Sequence, residues 1–470
     1  MQKKRQDGIV KIIPGERFTP FGLAKKLSAR AVLESSSYQR GRERYSVLMI
    51  DEAFRIEQRG ESLVFCNGGK TSQIKSGAQD ILAVLRYFAD QHTPLHQDFP
   101  YPAGGIGYLS YEFARMCDSV NFRQKEDPLE LPDACFLFGH VFVIFDHYTD
   151  LLYVIGLNYA EHEVDLAAAV ASVEARINDL NFTYLQQDEV NYPAKALNRG
   201  GDRDGFLEGV NRVKQEIVKG NLLQGVLSRR VCVESEMTAL EAYRRLRTAN
   251  PSPYLFYIDF DDYQLFGSSP EMHVKVKEGR VTIRPIAGTR RRGANQTEDE
   301  ELAKELLADP KERAEHLMLI DLARNDIGRV CVPGTVEVVE NMEIERYSRV
   351  MHIVSKVEGD MVAGNTGVQA VRATFPAGTV SGAPKISAMQ IIDGLEPVAR
   401  RFYAGLVGYM EPDGNLDTCI TIRSALKKNG QFVLQAGAGV VYDSVPEREY
   451  QETEEKLSAL MRALGLEEQA

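Results

Sequence analysis

Apolar positions recur along the chain with two periods, and the periods divide it into helices and strands. Spacing of three to four residues marks amphipathic helices over residues 18–33, 79–91 (Ile81, Leu82, Leu85, Phe88) and 164–180. The same period returns over residues 206–219, 297–308, 311–327, 386–395 and 446–464. Between them lie β-rich runs at 45–50, 104–114, 225–233, 254–260, 265–267, 273–276, 281–286 and 432–442. Residues 61–75 read as a hairpin around Asn67-Gly68-Gly69, and 135–146 with 151–157 as a second one turning at 147–150. Hairpins outnumber strand–helix–strand units. The pattern therefore predicts an α+β fold, with large, mostly antiparallel β-sheets packed as a sandwich and helices on the outside.

Periodicity fades over residues 186–205, where polar and turn residues take over. This stretch reads as a linker between an N-terminal region, 1–185, and a second region, 206–470. The two are expected to pack as one intertwined unit. A length of 470 residues allows about three domains, although large mixed sheets run longer as one unit.

Composition narrows the partners. With 44% hydrophobic and 26% charged residues the chain has the make-up of a soluble globular protein. A net charge of -11, with no Lys/Arg block, argues against nucleic acid. No run approaches the 18 apolar residues of a membrane span. The basic N-terminus lacks a signal peptide's apolar core. Six scattered cysteines without a CxxC pair fit free thiols in a reducing, cytoplasmic setting. Pro94 spoils a helical metal pair between His92 and His96, which read as surface loop.

Candidate chemistry concentrates in the second region. Residues 373–385 (ATFPAGTVSGAPK) place Gly378, Thr379, Ser381 and Gly382 just before a helix, with Pro384 suited to its first turn. Free backbone N–H groups and a helix dipole at such a turn suit an anion. In residues 311–328, Leu317, Ile320, Leu322 and Ile327 form an apolar stripe, with Glu315 projecting from its rim. On the last helix Glu449, Glu452 and Lys456 share one face, and Leu457, Leu460, Met461 and Leu464 the other. Alone, the first of these helices reads equally well as a solvated charged face, and the last reads better as a salt-bridged surface. Carboxylates from two helices, however, supply the hard oxygen donors that Mg²⁺ takes alongside water and substrate oxygens. Short backbone cradles at Gly288-Thr289 and Gly437-Ala438-Gly439, with Arg423 nearby, suit a ligand bearing two carboxylates. Gln224, Glu271, His352 and Tyr403 stand at strand or turn edges; a lone histidine like His352 is more often a core residue, and Glu271 by itself reads as a turn residue.

The series GSSPE, PIAGTRRRG, AEHLMLIDLARNDIGRV, YSRVMHIVSKV, PAGTVSGAPKISAMQII, GLVGYM, LDTCITIRSA and QAGAGVVYDSVPEREYQETEEK resembles the chorismate-binding enzymes from about residue 204 to 464. Within that family, Ala287 occupies the place where many aminodeoxychorismate synthases carry a nucleophilic lysine. Gln224 stands where isochorismate and salicylate synthases have a lysine that activates water. The segments VLES (residues 32–35) and NPSPYLFY (residues 250–257) look like the tryptophan site of the anthranilate-forming members, with Val32 in place of the commoner leucine. The resemblance implies Mg²⁺-dependent formation of anthranilate and pyruvate from chorismate and ammonia, with feedback inhibition by L-tryptophan. Ammonia is expected from a glutamine amidotransferase subunit in a hetero-oligomer. It implies Glu315 and Glu452 as metal ligands, Glu271 as general acid, His352 in pyruvate loss, and Thr379 and Gln224 in the active site. Substrate contacts are implied for Gly288, Thr289, Tyr403, Arg423, Gly437, Ala438, Gly439 and Lys456. The tryptophan pocket is implied at Ser35, Pro253, Tyr254 and Leu255. Two alternatives stand beside this: the large subunit of aminodeoxychorismate synthase, and a catalytically silent tryptophan-sensing partner.

Overall fold

The computed structural model describes residues 8–37, 41–42, 44–74, 80–93, 99–179, 190–198, 203–347 and 350–466. Residue 79, residues 186–189 and 199–202 of the expected linker, and His96 lie outside the described residues.

The fold is α+β, and every ladder between its strands is antiparallel. The strand Ala134–Asp146 explains why. All thirteen of its residues are buried, so both faces are covered; a short turn joins it to Leu151–Gly156 as a hairpin, and its other edge pairs antiparallel with the sequence-distant Tyr45–Arg59. Alternation along such strands sends side chains into two cores. Val47, Met49, Phe142, Ile144, Phe256 and Ile258 enter one. Leu48, Ile50, Val141, Val143, Leu255 and Tyr257 enter the other, which is closed by helices carrying Leu23 and Leu27, Val170 and Val173, Tyr243 and Leu246, and Leu457 and Leu460.

Pairing crosses the two sequence regions. Ala31–Glu34 bonds Tyr254–Asp259, and Ile106–Leu109 bonds Leu406–Met410. The remnant of the linker joins in, since Ala194–Ala196 forms a short strand on Gln224–Ser235.

Several elements depart from their sequence patterns. The helix expected over 18–33 spans only Pro20–Leu27. Ser28 adopts a left-handed backbone that ends it, and Ala31–Glu34 is drawn off as a strand between two partners. Residues 104–114 split into the strand Ile106–Leu109 and a 3₁₀ turn from Tyr111 to Met116. His92 is fully buried against the Tyr101 and Tyr159 rings, not on a surface loop. No helix among the described residues is long and apolar enough to cross a membrane. All six cysteines are free.

Candidate active site

Two helices bring carboxylates to one cavity. In Pro310–Gly328, Asp309 caps the first turn by accepting from the N–H groups of Lys311 and Glu312, and a proline opens the helix. Its buried stripe is His316, Leu319, Ile320, Ala323 and Ile327. Leu317, expected in that stripe, is 49% exposed, because the burial angle is shifted by one residue. That rotation turns Glu315 into the cavity. In Pro446–Ala463 the apolar face is buried as expected, while Glu452 and Lys456 line the same cavity from the other side.

The cavity encloses about 180 Å³ and is walled by Gln224, Glu271, Gly288, Thr289, Glu315, His352, Thr379, Tyr403, Arg423, Gly437, Gly439, Glu452 and Lys456, with apolar neighbours. Ten chain segments separated by up to 232 residues thus meet around one volume. Of the catalytic, substrate-contact and metal positions implied by the family resemblance, only Ala438 does not line it. Strand alternation sends its methyl into the apolar cluster of Phe206, Val210 and Leu227.

Glycines set the closeness of the walls. A Cβ on Gly437 would lie 2.9 Å from the Leu227 carbonyl and 3.0 Å from the Tyr403 hydroxyl, and one on Gly439 would lie 2.6 Å from Gln224 Nε2. In the loop at 373–385, Pro384 caps the helix Lys385–Leu395 from outside, and Gly382–Ala383 pairs with Gln224 and Gly225, so the end of the loop is joined to the sheet. From this loop it is Thr379 and Val380 that reach the cavity.

The electrostatics differ from group to group. Burial pushes the Glu271 carboxyl up to about 7, against the downward pull of Thr379, Arg423 and Lys456. Burial likewise holds His352 down at about 4, so it is neutral at pH 7. Its Nδ1 lies 2.9 Å from the Gly288 carbonyl, which can only accept, so Nδ1 carries the hydrogen and Nε2 the lone pair. The carboxyl of Glu315 is raised by burial and then by the charges of Glu312 and Glu452, while Gln224 Nε2 donates to it at 3.3 Å. Lys456 Nζ donates to the Gly437 carbonyl at 2.7 Å and pairs with Glu452 at 2.5 Å. Burial lowers the pKa of Arg423. The Arg423 residue itself takes a left-handed backbone with φ of 51°.

A metal fits the donor set. Like-charge crowding that raises Glu315 is relieved by a cation between it and Glu452. No group of three or more His, Cys, Asp or Glu ligands occurs among the described residues. Two carboxylates, leaving positions for water and substrate oxygens, match Mg²⁺ and not an all-protein cage.

A second cavity, of about 460 Å³, is lined by Leu33, Glu34, Ser35, Pro253, Tyr254, Leu255 and Phe256, with Met272, Tyr409 and Asp417 among the rest. It contains all four positions picked for a tryptophan pocket. Pro270 and Ile286 line both cavities.

A family model for chorismate binding enzyme matches residues 34–462. The chain is 61% identical over 461 residues to the anthranilate synthase component 1 of Spirochaeta aurantia, covering 98% of this chain and 96% of that one. It is 38% identical to its counterpart in Acetivibrio thermocellus, over 95% and 92% of the two chains. The crystal structure of anthranilate synthase component I from Streptococcus pneumoniae superposes with a TM-score of 0.79 at 36% identity, covering 89% of this chain and 92% of that one.

Proposed function

The chain belongs to the chorismate-binding enzymes, and from that premise we propose how its smaller cavity works: Mg²⁺ between Glu315 and Glu452, ammonia as nucleophile, and Glu271 as acid. The overall reaction is conversion of chorismate to anthranilate in tryptophan biosynthesis, the activity named for its relatives. The observation that carries the mechanism is the meeting in one cavity of a carboxyl titrating near 7, two crowded carboxylates and the Arg423 guanidinium.

Chorismate bears two carboxylates. Arg423, with a forked set of donors, takes one of them, and Lys456 lies beside the metal-facing end. Bound Mg²⁺ supplies Lewis-acid charge withdrawal and fixes the substrate's orientation. Ammonia forms its bond to ring C2 while the C4–O bond breaks, and Glu271 gives its proton to the departing oxygen, so that water leaves. Such acid help contributes about 10²–10⁴ in rate. The ammonium proton returns to the Glu271 carboxylate, restoring the acid. In the second step a base takes the C2 proton, the C–H electron pair completes the aromatic ring, and the ring C–O bond breaks so that the side chain leaves as enolpyruvate, which takes a proton at its methylene carbon to become pyruvate. His352 Nε2, neutral and unprotonated, serves proton movement in this step. With Gln224 in place of a basic side chain, the cavity has no lysine at that wall to activate water.

Ammonia is scarce as the free base at neutral pH, which supports supply by a glutamine amidotransferase partner. The component 1 designation of the relatives agrees with a partner subunit. The larger cavity takes L-tryptophan, its apolar side chains against Pro253, Tyr254 and Leu255 facing the indole and Ser35 the polar end. Feedback then acts through the wall at Pro270 and Ile286 that the two cavities share. Six unpaired thiols support a cytoplasmic location.

Incubating the purified chain with chorismate, Mg²⁺ and an ammonium salt is expected to give fluorescent anthranilate. A product that keeps the enolpyruvyl group would contradict the proposal.

A further inference from the structure

Behind the cavity, out of reach of substrate, sits a fully buried ion pair that the motif reading passed over. Arg400 is 1% exposed and pairs with Glu396 one helical turn earlier in sequence spacing. Its Nε donates to Glu396 Oε2 at 2.7 Å and its Nη2 to Glu396 Oε1 at 2.7 Å. The remaining donors go to backbone carbonyls on two different walls. Nη1 bonds the Val380 carbonyl at 2.8 Å, and Nη2 bonds that of Val226 at 2.6 Å. Val380 follows Thr379 directly, and Val226 is two residues from Gln224; all four line the cavity.

The pair is itself fixed on every side. Glu396 Oε1 accepts from both the backbone N–H and the hydroxyl of Ser228, on the same strand as Val226. The guanidinium stacks over the Tyr111 ring at 4.5 Å and lies 5.7 Å from that of Tyr403, another cavity wall. The backbone N–H groups of Arg400 and Arg401 donate to the buried Glu112 carboxylate at 2.8 and 3.1 Å. Glu112 comes from the first region of the chain, so the strut is braced across the molecule.

We propose that Arg400 is a positioning residue for the reaction: one guanidinium fastens the Thr379–Val380 loop to the strand bearing Gln224 and so fixes the spacing of the two cavity walls. The inference rests on the reading of that cavity as the site of chorismate chemistry. On it, Thr379 stands with the proton donor Glu271, while Gln224 stands with Glu315. Backbone pairing of Gly382–Ala383 with Gln224 and Gly225, and the Leu223 N–H donating to the Ala383 carbonyl at 2.8 Å, join the far end of the loop to the strand, and Arg400 adds the side-chain tie at Val380, next to Thr379. Val226 N–H donating to the Ser381 carbonyl at 3.1 Å is a further backbone tie. A lysine keeps the charge but presents a single ammonium, and cannot hold a carboxylate and two separate carbonyls in a planar fork.

The test compares steady-state kinetics of Arg400→Lys and Glu396→Gln with the parent chain, using chorismate, Mg²⁺ and ammonium. Folding is checked by tryptophan binding in the larger cavity. Arg400→Lys is expected to lower kcat by about 10²-fold, the scale of a 1 Å misplacement of reacting groups. KM for chorismate should stay within about threefold, because Arg423 and Lys456 are untouched. Glu396→Gln, which keeps the shape but weakens the fork, should fall between the two. A tryptophan-competent Arg400→Lys with parental kcat overturns the proposal, as does a rise in KM matching any loss of kcat/KM. Failure of both variants to fold would also overturn it, by making the pair a core support alone. A parent chain that makes no anthranilate would instead sink the reading of the cavity, which separates the two failures.

Discussion

The two cavities sit back to back across Pro270 and Ile286, yet they are built by opposite means. The smaller one gathers Glu271, Glu315, His352, Arg423, Glu452 and Lys456, and the buried members have shifted pKa values: Glu271 up to about 7, His352 down to about 4. The larger one is walled mainly by Leu33, Val47, Pro100, Pro253, Leu255, Phe256 and Ile286, and its charges are already spent. Glu34 accepts from the Tyr243 hydroxyl at 2.7 Å and pairs with Arg247 at 3.2 Å, and Asp417 pairs with Lys275 at 2.7 Å. The smaller cavity keeps buried carboxyls pushed up in pKa, Glu271 and Glu315, beside the Glu452–Lys456 ion pair, whereas the larger one holds Glu34 and Asp417 in ion pairs. That difference suits the smaller cavity to chemistry and the larger one to binding.

The strongest way to break the comparison is to remove a metal carboxylate. Glu315→Gln or Glu452→Gln should abolish anthranilate formation at Mg²⁺ levels that saturate the parent, read by product fluorescence; unchanged turnover would empty the smaller cavity of its assigned role. Next, Glu271→Gln should lower kcat by about 10²–10⁴-fold, the range for a lost general acid. The same group sets a pH dependence. Glu271 works when protonated, so at fixed free ammonia kcat should hold steady below pH 7 and fall as pH rises through about 7. A flat profile there would assign the acid elsewhere. Smaller again, Arg423→Lys loses the forked grip on a carboxylate and should raise KM for chorismate by about 10–100-fold, from the ~1.5–3 kcal/mol of a hydrogen bond to a charged group. The mildest change for catalysis belongs to the larger cavity. Ser35→Leu should weaken inhibition by tryptophan and leave kcat as it was, measured in one assay with and without the amino acid.

What the sequence disclosed follows from how local each feature is. The helix Pro310–Gly328 was legible because apolar residues recur along it at helical spacing, although the buried stripe leaves out Leu317. The hairpin closing at Asn67–Lys70 was legible from its two glycines, both of which adopt positive φ. The strand Ala31–Glu34 was hidden inside a helical pattern, because its conformation is set by partners more than 200 residues away on one side. The glycine run at 378–382 reads as an anion cradle, but the pairing of Gly382 with the strand at Gly225 is set by partners distant in sequence and left no local signal. Site residues were readable as motifs, down to Thr379, since each motif is a short string. Arg400 left no such string. A charge four residues after a glutamate looks like any surface pair, and only the fold buries it and aims its donors at two walls.

The claim on which the rest depends is that Glu315 and Glu452 share one divalent ion in the presence of substrate. Calorimetric titration of Mg²⁺ into the chain saturated with chorismate tests it directly. The account predicts a single binding step in the parent that disappears in both Glu315→Gln and Glu452→Gln, while chorismate itself still binds through Arg423. Equal Mg²⁺ binding by the parent and either variant would contradict it.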